Sequence, residues 1–122
     1  MNKEQNVNYL VNIYAVLASD GDVERSETKA FETIAKEIGA GYFERKQAVE
    51  LFGKTGALVP LTARWSEKVR NLEDMLFAAF CNGALAPDGK EIIVEQARVL
   101  GIEKDQLTVI KGEAKQRYDG FK

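Results

Sequence analysis

Histidine is absent from the chain. That removes the commonest general base and the commonest ligand of catalytic zinc or iron, and with them hydrolytic triads in their usual form. Cysteine occurs once, at Cys81, so no internal disulfide can form and a reducing cytoplasm is the expected compartment. Nothing near the N-terminus carries the charged, apolar and small-residue regions of a signal peptide. No apolar run approaches the roughly 20 residues of a membrane span; the longest is Met75 to Cys81. Peripheral membrane attachment stays open but has no signature. No glycine-rich phosphate loop is present. With a net charge of −2 and a pI near 5.3, the chain lacks the basic footprint of a nucleic-acid binder.

What is present is a helical pattern. The 122 residues are 45% apolar and 30% charged, with two prolines, which suits one soluble domain spanning 1–122. Leu10, Ile13, Tyr14, Leu17 and Ala18 fall at i, i+3, i+4, i+7 and i+8, so a helix is expected over about Asn6 to Ala18. Ala30, Phe31, Ile34, Ala35 and Ile38 repeat that spacing from about Arg25, and Gly39 follows as a left-handed closing residue. Phe43, Ala48, Leu51 and Phe52 suggest a third helix ending at Gly53. Pro60 breaks the next segment, read as a loop with a short helix around Trp65. Asn71-Leu72-Glu73-Asp74 resembles an N-cap with an acidic first turn before the face of Leu72, Met75, Leu76, Ala79 and Phe80. Pro87 suits a first helical position, Gly101 closes that helix, and a last helix runs from about Lys104 to Arg117. The expectation is all-α, with about seven helices.

An offset of 62 carries Leu10 to Leu72, Ile13 to Met75, Gly21 to Gly83, Ala35 to Ala97 and Gly39 to Gly101 without a gap. Apolar positions of two amphipathic helices can coincide by chance, but the loop glycine and the closing glycine together are more specific. Two related halves, about 6–53 and 68–117, are therefore expected to fuse as helical bundles around Phe31, Phe77, Phe80 and Cys81.

Between the first two helices, Asp20, Asp22, Glu24 and Glu27 surround Gly21. Such closely spaced oxygen donors suit Ca²⁺ or Mg²⁺. The EF-hand rule fails, since counting from Asp20 puts Arg25 at the obligatory glycine and Phe31 at the bidentate glutamate. The competing reading is that these acids only cap and charge the following helix, each contributing about 0.3–1 kcal/mol. In the second half Asn82, Asp88 and Glu91 are the corresponding oxygen donors, if the halves face each other.

Ala18-Ser19-Asp20-Gly21 through Ile34-Ala35-Lys36-Glu37-Ile38-Gly39, with Asn82-Gly83-Ala84-Leu85-Ala86-Pro87 through Gly101-Ile102 and the entry Glu103-Lys104-Asp105-Gln106-Leu107, resembles the TerB-like family of tellurite-resistance and related stress proteins. The resemblance covers most of the chain apart from Gly53 to Arg70. It implies a pseudo-twofold, all-helical domain with a metal site built from the acids of both Asp-Gly loops, and here it implicates Asp20, Asp22 and Glu27. The second half departs from the pattern, with Asn82 in place of aspartate and Ala84 in place of the acid two residues on. A shared site would then be weak or missing.

No catalytic motif emerges, and a non-enzymatic interaction or scaffold module with a protein partner is the expected role. Its alternatives are a metal-dependent enzyme working through Asp20, Asp22 and Glu27, or a purely structural helical domain. Cys81, beside Phe80, reads as core filler rather than a nucleophile. Trp65 is expected to pack over the junction of the halves in preference to forming an aromatic-basic patch with Arg64 and Lys68. The basic residues of the last helix alternate with Asp105, Glu113 and Asp119 as on a solvated face.

Overall fold

A computed structural model describes residues 1–19, 25–81 and 87–121, with the backbone alone at 25–27 and 87–88. Among the described residues there are six helices and no strand: α1 (Lys3–Leu17), α2 (Arg25–Glu37), α3 (Tyr42–Thr55), α4 (Trp65–Cys81), α5 (Pro87–Leu100) and α6 (Lys104–Phe121). None of them is long and apolar enough to cross a membrane.

The protein is assembled around α1. Its N-terminus is fixed by a reciprocal capping box in which the Gln5 amide donates to Asn2 Oδ1 and the Asn2 amide donates to Gln5 Oε1. Beyond that turn the helix is buried on nearly every side, because α2, α3, α4 and α5 all pack on it. Leu10, Ile13 and Leu17 are wholly enclosed, each contributing about 1.5–3 kcal/mol by the area it removes from water. α4 is the second central element: it packs on α1 and carries α2, α5 and α6. One cluster of buried residues draws on all six helices, and Phe31, Phe77 and Phe80 belong to it as expected, with Cys81 half-buried at its edge.

The two expected glycine closures are present in matching form. Gly39 and Gly101 have φ of 80° and 73°, a region that only glycine enters without strain. The Gly39 and Ala40 amides donate to Lys36 and Ala35, and the Gly101 and Ile102 amides donate to Arg98 and Ala97. Both are the same paired closure of a helix C-terminus. The helices begin at residues 3, 25 and 42 and again at 65, 87 and 104, each three-helix set displaced by 62 positions.

Several expectations are corrected. The short helix around Trp65 is the first turn of α4, which accounts for six helices in place of about seven. Asn71 is thus no N-cap; it lies inside α4, fully buried, because α1 supplies its partners. Trp65 is 56% exposed and does not cover a junction. Gly53 lies within α3, which ends two residues later at Thr55 and is capped by a left-handed Gly56 with φ of 61°. Phe43 is 78% exposed, since α3 packs chiefly on α1 and turns Ala48 inward. The connector before α4 is held by Asn12, whose Nδ2 donates to the Val59 carbonyl at 3.0 Å while its Oδ1 accepts from the Val59 amide at 2.8 Å.

Candidate functional site

Asp20, Asp22, Glu24 and Asn82 lie outside the described residues, and Glu27 and Asp88 are placed only as backbone, in the first turns of α2 and α5. The approach to the acidic loop is defined. Ser19 follows the Ala18 cap of α1, its hydroxyl donating to the Val16 carbonyl at 2.7 Å. A Cβ added at Gly89, in the first turn of α5, would lie 3.3 Å from Ser19 Oγ and 3.8 Å from Val16 Cγ1. The residue that leads into the first loop therefore lies close to the helix that leads out of the second. Among the described residues no group of three or more cysteine, aspartate or glutamate side chains is placed to hold a metal. By residue type the two loops are unequal: the first and its exit carry the carboxylates Asp20, Asp22, Glu24 and Glu27, the second only Asn82 and Asp88, and all of these would offer oxygen donors.

The described residues do contain a buried polar constellation that the periodicity of the sequence does not announce. Asp74, 0% exposed, accepts the Tyr9 hydroxyl at one carboxylate oxygen and Arg117 Nη1, 2.7 Å away, at the other. Arg117 extends from α6 over the Phe77 ring, 5.0 Å from its centroid, and also reaches Glu37 at 3.2 Å and Glu73 at 3.4 Å. Beside this group Asn71 Nδ2 donates to the Tyr9 carbonyl at 3.1 Å and Asn71 Oδ1 accepts from Asn12 Nδ2 at 3.1 Å. Every member of the set has a partner, the condition under which a buried polar network rigidifies a core.

Electrostatics assign the protons. Burial raises the Tyr9 phenol far above its ordinary value, and the charge and hydrogen bond of Asp74 push the same way, so Tyr9 stays a neutral donor. Burial works against the Arg117 cation, but the hydrogen bond and charge of Asp74, with Glu37 and Glu73, hold its pKa above the usual one. Burial raises Glu73 against the pull of Arg117, with Asp74 and Glu113 adding to the rise. A neutral phenol and a permanent cation on the two oxygens of one enclosed carboxylate bind α6 to the α1/α4 pair. The sequence signal that finds them is a polar pair three residues apart inside an apolar helix, occurring twice: Tyr9 with Asn12, and Asn71 with Asp74.

No family model matches the chain, and the comparisons with curated proteins and with solved structures gave no match.

Proposed function

We propose that the chain is a TerB-like, non-catalytic interaction or scaffold module of stress-associated type, working in the cytoplasm. In this reading it is a single domain whose two three-helix halves are related by a pseudo-twofold axis. Its first loop takes up a divalent cation weakly through Asp20, Asp22 and Glu27. The observation that carries the reading is the common displacement of 62 in all three pairs of helix starts. The core hydrogen bonds support it independently: exchanging the halves turns Tyr9–Asp74 into Asn71–Asn12, and the Asn71 to Tyr9 bond joins equivalent positions.

The closeness of Ser19 to the first turn of α5 favours loops that lie on the same side of the molecule. The ion would be Ca²⁺ or Mg²⁺ and not a transition metal, since the donors are oxygens and the chain has no histidine. With two acids of the second loop replaced, a dissociation constant on the order of 10⁻⁴ to 10⁻³ M is expected, as in sparse calcium modules. The test is a Ca²⁺ and Mg²⁺ titration read by amide NMR, with Asp20→Asn/Asp22→Asn as control. Shifts centred on 20–27 and lost in the double variant are expected. Unchanged spectra at millimolar metal would reduce the loop to helix capping, and metal-dependent phosphoester turnover abolished by Asp20→Asn would overturn the non-catalytic assignment.

A further inference from the structure

α5 and α6 both pack on α4 and hardly on one another, which leaves an open wedge between them. It is a groove of about 510 Å³, a size typical of binding clefts. Leu76, Ile93, Ala97, Ile102 and Leu107 make it apolar, and every charged residue that lines it is positive: Lys90 and Arg98 on α5, Lys104 and Lys111 on α6. All four cations are exposed. Lys90, Lys104 and Lys111 have no ion pair among the described residues, while Arg98 holds an exposed one with Glu95 at 2.8 Å. An exposed pair of that kind gives way readily to a competing carboxylate.

The groove is not a general consequence of three helices packing in this way. At the positions 62 residues earlier the first half has Tyr14, Phe31 and Phe52, whose rings pack edge to face between α1, α2 and α3, with centroids 5.7 and 5.8 Å from Tyr14. Their counterparts in the second half are Leu76, Ile93 and Ala114. Three rings are gone, and Lys90, Lys104 and Lys111 stand where the first half has Thr28, Tyr42 and Val49. The surface left at that place in the first half is more polar and mixed in sign, with Glu32 among Lys29, Lys36 and Arg45. Loss of the rings and gain of the cations coincide in one half.

The distribution of charge selects the occupant. At a rise of 1.5 Å per residue the two cations are about 12 Å apart along α5 and about 10 Å apart along α6. A single anionic head, such as a fatty-acid carboxylate, needs cations gathered at one end. Cations on both banks over two helical turns match an apolar ridge with carboxylates along both sides. We propose that the groove docks an acidic amphipathic helix of a protein partner, its apolar i, i+4, i+7 stripe on Leu76, Ile93 and Leu107 and its flanking Asp or Glu residues on the four cations. This site is separate from the acidic loop and needs no metal.

The test uses the full chain and a labelled synthetic helix of about four turns, with leucine at i, i+4 and i+7 and glutamate on the flanking positions. A matched peptide with lysine flanks and a dodecanoate sample serve as the other probes. Anisotropy should show binding of the glutamate helix alone, weakening with salt, with amide shifts confined to α5, α6 and Leu76. Lys104→Glu/Lys111→Glu should weaken it about tenfold, and Leu76→Tyr/Ile93→Phe, which restores two of the three rings of the first half, should abolish it with an unchanged circular dichroism melt. If the filled variant does not fold, the exposed charge reversals decide. Equal binding of the lysine helix, binding of dodecanoate in the groove without binding of the peptide, or a dimer that occludes the groove in sedimentation would each overturn the proposal.

Discussion

Removing one oxygen atom from the core tests the reading of the Tyr9–Asp74–Arg117 set. In Tyr9→Phe the ring keeps its fully buried position and only the hydroxyl goes. Arg70 Nε, 4.0 Å from Asp74 Oδ2 on a side chain that is 47% exposed, is too far away to replace that hydrogen bond. A hydrogen bond to a charged group is worth about 1.5–3 kcal/mol, so a loss near 2 kcal/mol is expected, a large share of a stability of about 5–15 kcal/mol. Arg117→Met removes the countercharge. Breaking a fully buried pair costs about 3–5 kcal/mol, and since Arg117 is 31% exposed water replaces part of it, which brings the expected loss to about 2–3 kcal/mol. Because both donors serve one carboxylate, Tyr9→Phe should cost at least about 0.5 kcal/mol less in an Asp74→Asn background. Urea unfolding followed by circular dichroism, with an unchanged slope, measures all three. A loss below about 0.5 kcal/mol in Tyr9→Phe, or an equal loss in both backgrounds, would refute the argument.

The remaining predictions concern pH, backbone and the connector. The Tyr9 pKa is raised on folding, so its contribution is complete below the unfolded phenol value of about 10 and is lost above it; there wild type should lose about 1.4 kcal/mol per pH unit more than Tyr9→Phe in alkaline melts. Gly39→Ala and Gly101→Ala meet no atom within 4 Å, so their cost is backbone strain of about 1–2 kcal/mol each, and urea denaturation of the double variant should show the two losses adding. Asn12→Ala frees both Val59 backbone groups, and hydrogen exchange at the Val59 amide should accelerate strongly while α1 stays folded.

The glycine closures and the helix order are legible in the sequence because they depend on local chemistry: a left-handed helix end favours glycine, and proline favours the first helical position, as at Pro87. The polar core is not legible in that way. Asn71 and Asp74 precede an apolar run just as an N-cap and an acidic first turn would, and only the proximity of Tyr9 and Asn12 turns them into buried partners. Phe43 and Trp65 show the same limit, since apolar character does not tell which side of a helix finds a neighbour. The groove lies where the two halves differ, Tyr14, Phe31 and Phe52 giving way to Leu76, Ile93 and Ala114. Ser19 before the first loop and Gly89 after the second are described, and the loop donors are legible only as residue types.

The claim that two related halves bring their loops together around a weak oxygen-ligand site is tested most directly with Mn²⁺, whose unpaired electrons broaden amide signals near a bound ion. The account predicts selective broadening that centres on 20–27 and extends through Ser19 to Gly89 and the second loop, is competed by Ca²⁺, and vanishes in Asp20→Asn/Asp22→Asn. Broadening spread evenly over the exposed acids of all helices, or left unchanged by the double variant, would contradict it.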